Sequence, residues 1–152
     1  MQTEIRNATL QDLPVVRRIT ERAYAAWLPV LGFHPQPVVE DHAPHIARGE
    51  VMLACVHDEV AGLIVVESGD AHDLIFNVAV DPDHAGKGIG ARLIAEAERR
   101  AKANGKSSMK LYTNALMSRN IALYSKLGYV ETGRRPHPSR TNSTIVDMAK
   151  EL

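Results

Sequence analysis

Three glycines that alternate with other residues, Gly86, Gly88 and Gly90, lie between an apolar run and a helical pattern. Glycine has no Cβ, so a backbone rich in glycine can approach a ligand closely. The first four N–H groups of a helix have no partner within the helix, and the helix dipole adds positive potential there. The segment therefore predicts a site for a phosphate or pyrophosphate. The alternative is a helix start whose glycines serve only tight packing.

The type of phosphate ligand is narrowed by what surrounds the glycines. No Gly-Lys pair is followed by Ser or Thr at the spacing of a P-loop, which excludes that nucleotide-binding motif. A dinucleotide fingerprint can be placed on Gly86, Gly88 and Ala91. Such a fingerprint needs an acidic residue at the end of the next strand, but residues 111–114 (LYTN) carry no carboxylate. A dinucleotide-binding module therefore stays only as an alternative.

Strands and helices alternate on both sides of the glycine segment. Helices are predicted from the spacing of apolar residues at about 12–27, from the glycine segment to residue 104, and at 118–127. Strands are predicted at residues 4–6, 51–57, 60–67, 74–80, 108–113, 129–132 and 143–149. Prolines make residues 29–44 an irregular, partly helical region. Asp58 and Glu59 are predicted to form the tight turn between the second and third strands.

Length and composition are those of one soluble globular domain. The chain has 152 residues, 45% of them hydrophobic and 24% charged, and this length favours a single domain over residues 1–152. No apolar run is long enough to span a bilayer, and the first residues lack the basic and apolar segments of a secretory signal. Cys55 is the only cysteine, so no internal disulfide is expected. These features predict a cytoplasmic protein that does not act at a membrane.

Charge is distributed unevenly along the chain, although the formal total is zero. Residues 1–75 carry five basic and eleven acidic side chains, whereas residues 76–152 carry thirteen basic and seven acidic ones. Either the second half meets an anionic ligand, or these charges belong to solvated helix faces. A neutral total with few aromatic residues argues against a nucleic-acid partner.

Two motifs in the second half resemble those of the GNAT superfamily of N-acetyltransferases. Residues 77–82 (NVAVDP) and 86–94 (GKGIGARLI) are similar to its acetyl-CoA signature, and residues 120–129 (NIALYSKLGY) are similar to its second hallmark. The order of predicted elements also matches that family. The resemblance implies an α/β (α+β) fold in which helices flank a mixed, mostly antiparallel sheet. Two strands of that sheet would splay apart at the acetyl-CoA site.

The resemblance also implies which residues bind acetyl-CoA as a co-substrate. The signature strand would offer main-chain groups to the pantetheine arm, and the glycine segment would hold the pyrophosphate on its amides. The family usually has Gln or Arg where this chain has Ala85, so a side-chain contact is lost there. The cofactor-binding residues implied are Val78, Ala79, Val80, Ala85, Gly86, Lys87, Gly88, Ile89, Gly90, Ala91 and Asn120.

Tyr124 aligns with the tyrosine that, in many relatives, points at the sulfur of the cofactor. A phenol is protonated at neutral pH and can donate a proton to a leaving thiolate. The purely structural interpretation is a buried aromatic residue on the same apolar helix face as Ile121 and Leu127. With the resemblance taken into account, Tyr124 is the predicted catalytic acid.

The general base is harder to place. Relatives often use a glutamate on the signature strand, but residues 74–77 (LIFN) carry no carboxylate. Glu67, His72 and Asp73 lie at nearby strand ends, and Glu67 is the predicted base. Water or solvent is the alternative proton acceptor. A main-chain N–H at a strand bulge near Val78 and Ala79 is expected to stabilise the oxyanion.

The predicted reaction is transfer of an acetyl group from acetyl-CoA to a primary amine, by direct attack in a ternary complex. The acceptor is a small-molecule or peptide amine, and the resemblance places Trp27, Phe33 and the proline-rich region beside its pocket. Dimers are common in the family, which leaves a homodimer open. The missing strand glutamate keeps a non-catalytic acyl-CoA-binding sensor as an alternative. No metal is expected, because His42 and His45 lack a third ligand at suitable spacing.

Overall fold

A seven-stranded mixed sheet forms the centre of the computed structural model, which describes residues 2–152. The strands are β1 (Thr3–Asn7), β2 (Val51–Val56), β3 (Glu59–Ser68), β4 (His72–Val80), β5 (Ser108–Asn114), β6 (Val130–Pro136) and β7 (Thr144–Glu151). Their order across the sheet is β1-β2-β3-β4-β5-β7-β6. Only β4 and β5 pair in parallel, and the other neighbours are antiparallel. The predicted fold class is confirmed.

Helices cover both faces of this sheet. They are α1 (Leu13–Tyr24), α2 (Leu28–Leu31), α3 (Gln36–Val39), α4 (Ala43–Ala47), α5 (Ile89–Ala103) and α6 (Ser118–Lys126). Short 3-10 turns occur at Leu10–Asp12, Ala25–Trp27 and Pro82–His84. The proline-rich region is partly helical, as predicted, because each proline of α2, α3 and α4 occupies the first turn, where no backbone N–H is needed. None of the described helices is long and apolar enough to cross a membrane.

Two hydrophobic clusters lie on opposite faces of the sheet. Along β2, Met52 and Ala54 belong to the cluster under α5, while Val51 and Leu53 belong to the cluster under α1. Successive side chains of a strand point to opposite faces, so β2 and β3 are apolar on both sides. Gly62 lets α5 approach closely, because a Cβ there would lie 3.1 Å from Ile89 Cγ2. The sheet is thereby fixed between α1 and α5.

Most strand boundaries lie within two residues of the predicted ones, and the β2–β3 turn and the end of β6 show why they shift. The turn between β2 and β3 is His57–Asp58, one residue earlier than predicted, and both residues have positive φ angles of 50° and 64°. Positive φ angles at both turn residues match the right-handed twist of a two-residue hairpin. Glutamate does not favour a positive φ, and Glu59 accordingly begins β3 instead. Strand β6 runs to Pro136 rather than ending at Thr132. All seven of its residues are exposed, so no apolar alternation marks its end.

Candidate active site

Strands β4 and β5 separate halfway along their length. Their parallel pairing runs from His72 opposite Ser108 to Ile75 opposite Leu111, and then stops. Both strands continue, β4 to Val80 and β5 to Asn114. A gap therefore opens between the second halves of the two strands, as the sequence motifs predicted.

A bulge on β4 coincides with the start of this gap. Val65 is opposite Asn77 and Val66 is opposite Ile75, so Phe76 is an extra residue with no partner on β3. A bulge bends its strand and increases the local twist, which turns the rest of β4 away from β5. A bulge was expected near Val78 and Ala79, and the register places its extra residue at Phe76, two positions before Val78.

The main-chain groups of Val78 and Val80 face the gap. The N–H of Asp81 donates to the carbonyl oxygen of Ala61 at 2.8 Å. In an antiparallel pair alternate residues bond to the same neighbour, so Ala79 also turns its amide towards β3. Val78 and Val80, which alternate with Ala79 and Asp81, turn their N–H and C=O groups away from β3. Val78 and Val80 thus offer free main-chain groups where β5 is no longer present, while Ala79 does not.

The glycine segment is open to solvent rather than tightly packed. Gly86 and Gly88 have φ angles of 78° and 74°, and a Cβ added to either would meet nothing within 4 Å. At Gly90 the nearest atom would be Val80 Cγ2, at 3.7 Å. The interpretation of these glycines as packing residues is wrong. Their φ angles shape a turn whose backbone stays accessible.

The start of α5 presents unpaired amides at this turn. The first bond of the helix is donated by Arg92 N–H to the carbonyl of Gly88, at 3.1 Å. The N–H groups of Ile89, Gly90 and Ala91 therefore have no partner within the helix. Lys87 is exposed, with Nζ 3.3 Å from Nδ1 of His84. Amides, helix dipole and an ammonium group together suit a diphosphate.

Two clefts lie along the gap. We call the first the sheet cleft; it encloses about 670 Å³, partly open to solvent, and its lining includes Phe33, Asn77, Tyr112 and His137. We call the second the loop cleft; it encloses about 580 Å³ and reaches Val80 and Gly90. Both clefts are lined by Tyr24, Val78, Asn120 and Tyr124. The four shared residues form the junction of the two clefts.

Tyr124 projects from α6 to this junction. It is buried, and its ring packs edge-on against Tyr129 with the ring centroids 6.2 Å apart. Burial raises the pKa of Tyr124 to about 12. The side chain therefore remains a phenol at neutral pH and can donate a hydrogen bond to an anion.

Glu67 does not line either cleft. Its Oε2 lies 2.8 Å from Nε2 of the buried His45. The His45 ring stacks on Phe76 with the ring centroids 5.2 Å apart, and its Nδ1 has no hydrogen-bond partner among the described residues. The predicted base is thus joined to the bulge residue through His45. The other candidates, His72 and Asp73, also lie outside both clefts.

Sequence reasoning missed a polar network behind the junction. The hydroxyl of Tyr24 donates to Oδ1 of Asn77, and Nδ2 of Asn77 donates to Thr20 Oγ1, both at 3.2 Å. Nδ2 of Asn77 also lies 3.5 Å from Nε2 of His42. Burial raises the pKa of Tyr24, and the nearby Tyr124 adds to the effect. No local signal marks this network, because Tyr24 and Asn77 are 53 positions apart.

The predicted acceptor-side residues divide between the clefts. Phe33, Pro35 and Pro37 line the sheet cleft, as expected. Trp27 lines the loop cleft instead, where the guanidinium of Arg119 lies 5.2 Å from the centre of its ring. The 3-10 turn that ends α1 carries Trp27 to the glycine side of the gap.

Residues 2–152 contain no group of three His, Cys, Asp or Glu side chains that could hold a metal ion. The ring centroids of His42 and His45 are 5.8 Å apart, and both side chains are buried. Burial lowers the pKa of His42, and the neighbouring His45 lowers it further. Both histidines therefore belong to the packing behind the bulge.

The gap between β4 and β5 runs from the bulge towards the glycine segment, whose amides suit a diphosphate. The family model of the acetyltransferase (GNAT) family matches residues 15–129, which is most of the chain. The chain belongs to the acetyltransferase (GNAT) family.

Individual relatives agree with this assignment. The chain is 30% identical over 86 residues to the uncharacterized N-acetyltransferase YvbK of Bacillus subtilis (strain 168). That match covers 56% of each protein, so the chain matches about half the length of this relative. The fold is similar to PaiA N-acetyltransferase from Thermoplasma acidophilum in complex with coenzyme A, with a TM-score of 0.83, 18% identity and complete coverage of both chains.

A second solved structure with the same fold is the ribosomal-protein-S18-alanine N-acetyltransferase from Escherichia coli. The TM-score is 0.80 at 23% identity, covering 99% of this chain and 94% of that one. At this level of identity, both structural likenesses establish the fold.

Proposed function

We propose that this protein transfers the acetyl group of acetyl-CoA to a primary amine of a small molecule or peptide, by direct attack in a ternary complex. The observation that carries the proposal is the junction of the two clefts. A ligand held at the glycine segment reaches Tyr124 through the loop cleft, and an acceptor reaches the same tyrosine through the sheet cleft. Membership of the acetyltransferase (GNAT) family supports this assignment.

The described residues fit acetyl-CoA along its length. The amides from Gly86 to Ala91 would hold the pyrophosphate, with Lys87 adding charge. Val78 and Val80 would bond the amides of the pantetheine arm, as a neighbouring strand would. Asn120 lines both clefts and would contact the arm near its thioester end. Ala85 would contribute backbone alone, since its side chain is a methyl group.

The N–H of Val78 is the proposed oxyanion donor. It faces the gap, whereas the N–H of Ala79 is directed towards β3. A fixed N–H aimed at a developing negative charge stabilises it without reorganisation. Of the two residues named from the sequence, Val78 and Ala79, we therefore propose the N–H of Val78 as the oxyanion donor.

Tyr124 is the proposed donor to the departing sulfur. A thiolate of ordinary pKa near 8.5 is a tolerable leaving group. Because the pKa of Tyr124 is raised to about 12, the phenol is a weak acid that acts mainly by hydrogen bonding. Its contribution should lie at or below the lower end of the range for general acids.

Glu67 is the proposed proton acceptor, acting through water because its carboxylate lies outside the clefts. Burial is the main cause of the raised pKa of Tyr112, which lines the sheet cleft, and the negative charge of Glu67 raises it further. The field of Glu67 thus reaches the cleft, although its oxygen atoms do not. A water molecule between the amine in the sheet cleft and the carboxylate of Glu67 would carry the proton.

Thermal unfolding with acetyl-CoA, CoA and NAD in parallel tests the cradle first. A ligand at 100 times its Kd stabilises by about 2.7 kcal/mol, which raises the Tm of a chain of this size by roughly 5–10 °C. We expect this shift with both CoA species and not with NAD. Release of CoA in the presence of amines then tests the transfer. No shift with either CoA species would refute the proposal.

A non-catalytic acyl-CoA-binding sensor is the second candidate, favoured by one observation. No Asp or Glu among the described residues lines the sheet cleft. A sensor would show the shift in Tm with acetyl-CoA but no release of CoA with any amine. An NAD-specific shift would instead favour a dinucleotide-binding module, which the mostly antiparallel sheet already disfavours.

Three further proposals concern the whole protein. We propose that residues 1–152 form one domain and that the protein is located in the cytoplasm. A homodimer stays a prediction, and sedimentation at micromolar concentration would test it.

A further inference from the structure

The sheet cleft carries almost no charge. Among the described residues no Asp, Glu, Lys or Arg lines it, and His137 is the one histidine of its lining. Its walls are largely apolar and include Leu31, Phe33, Phe76 and Ile145. Burying a charge without a partner is costly, so the part of an acceptor that fills this cleft should be uncharged and apolar.

A second groove continues from the sheet cleft at its outer edge. Phe33, Gln36 and His137 line both spaces. We call the continuation the rim groove; beyond these three residues its lining includes His34, Ser139 and Arg140. The loop between β6 and β7 supplies Arg140, and the segment before α3 supplies Phe33. The rim groove is thus rich in hydrogen-bond donors.

Arg140 is the cation of this groove, and its charge is not neutralised. Arg134 and Arg135, on β6, pair with Glu131 and Asp147. The guanidinium of Arg140 instead lies 4.7 Å from the centre of the Phe33 ring. No carboxylate within residues 2–152 lies within 4.0 Å of it. A cation held over an aromatic face keeps its donors free for an anion.

Two acidic residues close to these spaces, Glu40 and Glu67, each have a hydrogen-bond partner. Glu40 accepts a hydrogen bond from Nε2 of Gln36 at 2.7 Å, and Glu67 contacts His45. Neither carboxylate lines the sheet cleft or the rim groove. The lining of these two spaces thus offers a cation but no carboxylate, and it favours an acceptor whose far end is a carboxylate over one whose far end is an ammonium group.

We infer that the acceptor is a primary amine joined through an apolar spacer to a carboxylate, and that Arg140 binds this carboxylate. The inference rests on the proposed function. The amine must reach Tyr124 at one end of the sheet cleft. The rim groove is entered past Phe33 and His137, so apolar atoms must separate the two charged ends. Arg140 is accordingly a specificity-determining residue.

Three amines of one length form the test: 6-aminohexanoate, hexylamine and 1,6-diaminohexane. They share a primary amine and an apolar chain, and differ only in a terminal carboxylate, methyl or ammonium group. Release of CoA from acetyl-CoA gives kcat/KM for each. We expect 6-aminohexanoate to exceed hexylamine by about five- to tenfold, an advantage suited to a partly exposed ion pair. The diamine should be the poorest acceptor.

The Arg140→Gln variant links this preference to the groove. It should reduce the ratio of kcat/KM for 6-aminohexanoate to kcat/KM for hexylamine to about one. Arg134→Gln is the matched control, since it removes an exposed arginine of β6 that pairs with Glu131, and it should keep the ratio.

Other outcomes overturn the inference in distinguishable ways. A higher kcat/KM for the diamine refutes the assigned substrate class, and so does an unchanged ratio of 6-aminohexanoate to hexylamine in Arg140→Gln. Neither result contradicts the proposed acetyltransferase activity. If none of the three amines releases CoA, the inference also fails. The Tm with acetyl-CoA then shows whether the proposed function fails with it, because the cradle does not depend on the acceptor.

Discussion

The hydroxyl of Tyr24 lies 3.2 Å from Oδ1 of Asn77, and this contact fixes which way the tyrosine can act. Nδ2 of Asn77 faces Thr20 Oγ1 and Nε2 of His42. Burial lowers the pKa of His42, so the ring is neutral at pH 7 and Nε2 can accept. The amide is thereby oriented with its oxygen towards Tyr24. The phenol proton is committed to Asn77, and the oxygen lone pairs remain available to a donor in the cleft.

Tyr24→Phe should therefore weaken binding of the amine more than binding of acetyl-CoA. Loss of one neutral hydrogen bond costs about 0.5–1.5 kcal/mol, which corresponds to a rise in KM for the amine of roughly two- to tenfold. The KM for acetyl-CoA should stay within about twofold. Steady-state kinetics with each substrate varied in turn provide the measurement.

Thr20→Val is the control for this prediction. It removes a partner of Asn77 on the side away from the cleft, so it should lower the Tm without raising the KM for the amine. If Thr20→Val reproduced the effect of Tyr24→Phe, the tyrosine would act only by holding Asn77.

His42 should make the stability of the fold depend on pH. Its pKa in the folded chain lies below the ordinary value of 6.5, because burial penalises the charged ring. As the pH falls below 6.5, the unfolded chain binds a proton at His42 that the folded chain does not. The free energy of unfolding then falls, with a slope of at most about 1.4 kcal/mol per pH unit from this residue. Above about pH 7.5, where His42 is neutral in the unfolded chain as well, its contribution is constant.

Urea unfolding between pH 7.5 and 5.5 measures this slope. In His42→Gln the slope should be smaller than in the unaltered chain over the same range. His57→Gln changes an exposed turn residue and serves as the matched control, with the slope unchanged. Equal slopes in the His42 variant and the unaltered chain would show that His42 takes up its proton in the folded state as readily as in the unfolded one.

The glycine cradle and the strand gap could be predicted because both follow from local rules. Alternating glycines before an amphipathic helix mark an accessible helix start, and the motif around residues 77–94 implied the splayed strand. The Cβ positions of Gly86 and Gly88 then confirmed an open turn rather than a packed one. Tyr124 was predicted from its motif, and the structure places it at the junction of the clefts.

The bulge and the polar network could not be predicted, because each depends on how distant segments pair. Phe76 becomes an extra residue only through the register of β3 against β4. The sequence showed only that residues 74–77 carry no carboxylate. The role of Asn77 depends on Tyr24 and His42, which come from α1 and the residue before α4. Hydrophobic periodicity indicates which face of an element is buried, and not which polar groups meet there.

Tyr124→Phe should lower kcat with little change in affinity for acetyl-CoA. The ring, which packs against Tyr129, is retained, so the fold and the loop cleft should be preserved. Loss of the donor to the sulfur should reduce kcat by about 10–100-fold, at or below the lower end of general acid catalysis. The Tm shift with acetyl-CoA should match that of the unaltered chain. A kcat within twofold of normal would assign Tyr124 to packing alone.

Gly88→Ala should reduce both stability and affinity for acetyl-CoA. The same substitution at Gly105, beyond the other end of α5, distinguishes the two effects. Gly88 precedes the helix with a φ of 74°, and Gly105 follows it with a φ of 79°. Neither has an atom within 4 Å of an added Cβ, so alanine would meet the same backbone strain of about 1–2 kcal/mol at each position. For a chain of this size, that strain lowers the Tm by roughly 2–8 °C in both variants.

Only Gly88 lies where the backbone would meet a diphosphate, so only Gly88→Ala should weaken binding. A methyl group projecting into the cradle keeps the anion away from the amides of Ile89 and Gly90. We expect the Kd for CoA to rise at least tenfold in Gly88→Ala and to change less than twofold in Gly105→Ala, measured by calorimetry below the Tm of both variants. If the two variants bound CoA equally well, the diphosphate would not lie on this turn, because the strain they share cannot distinguish them.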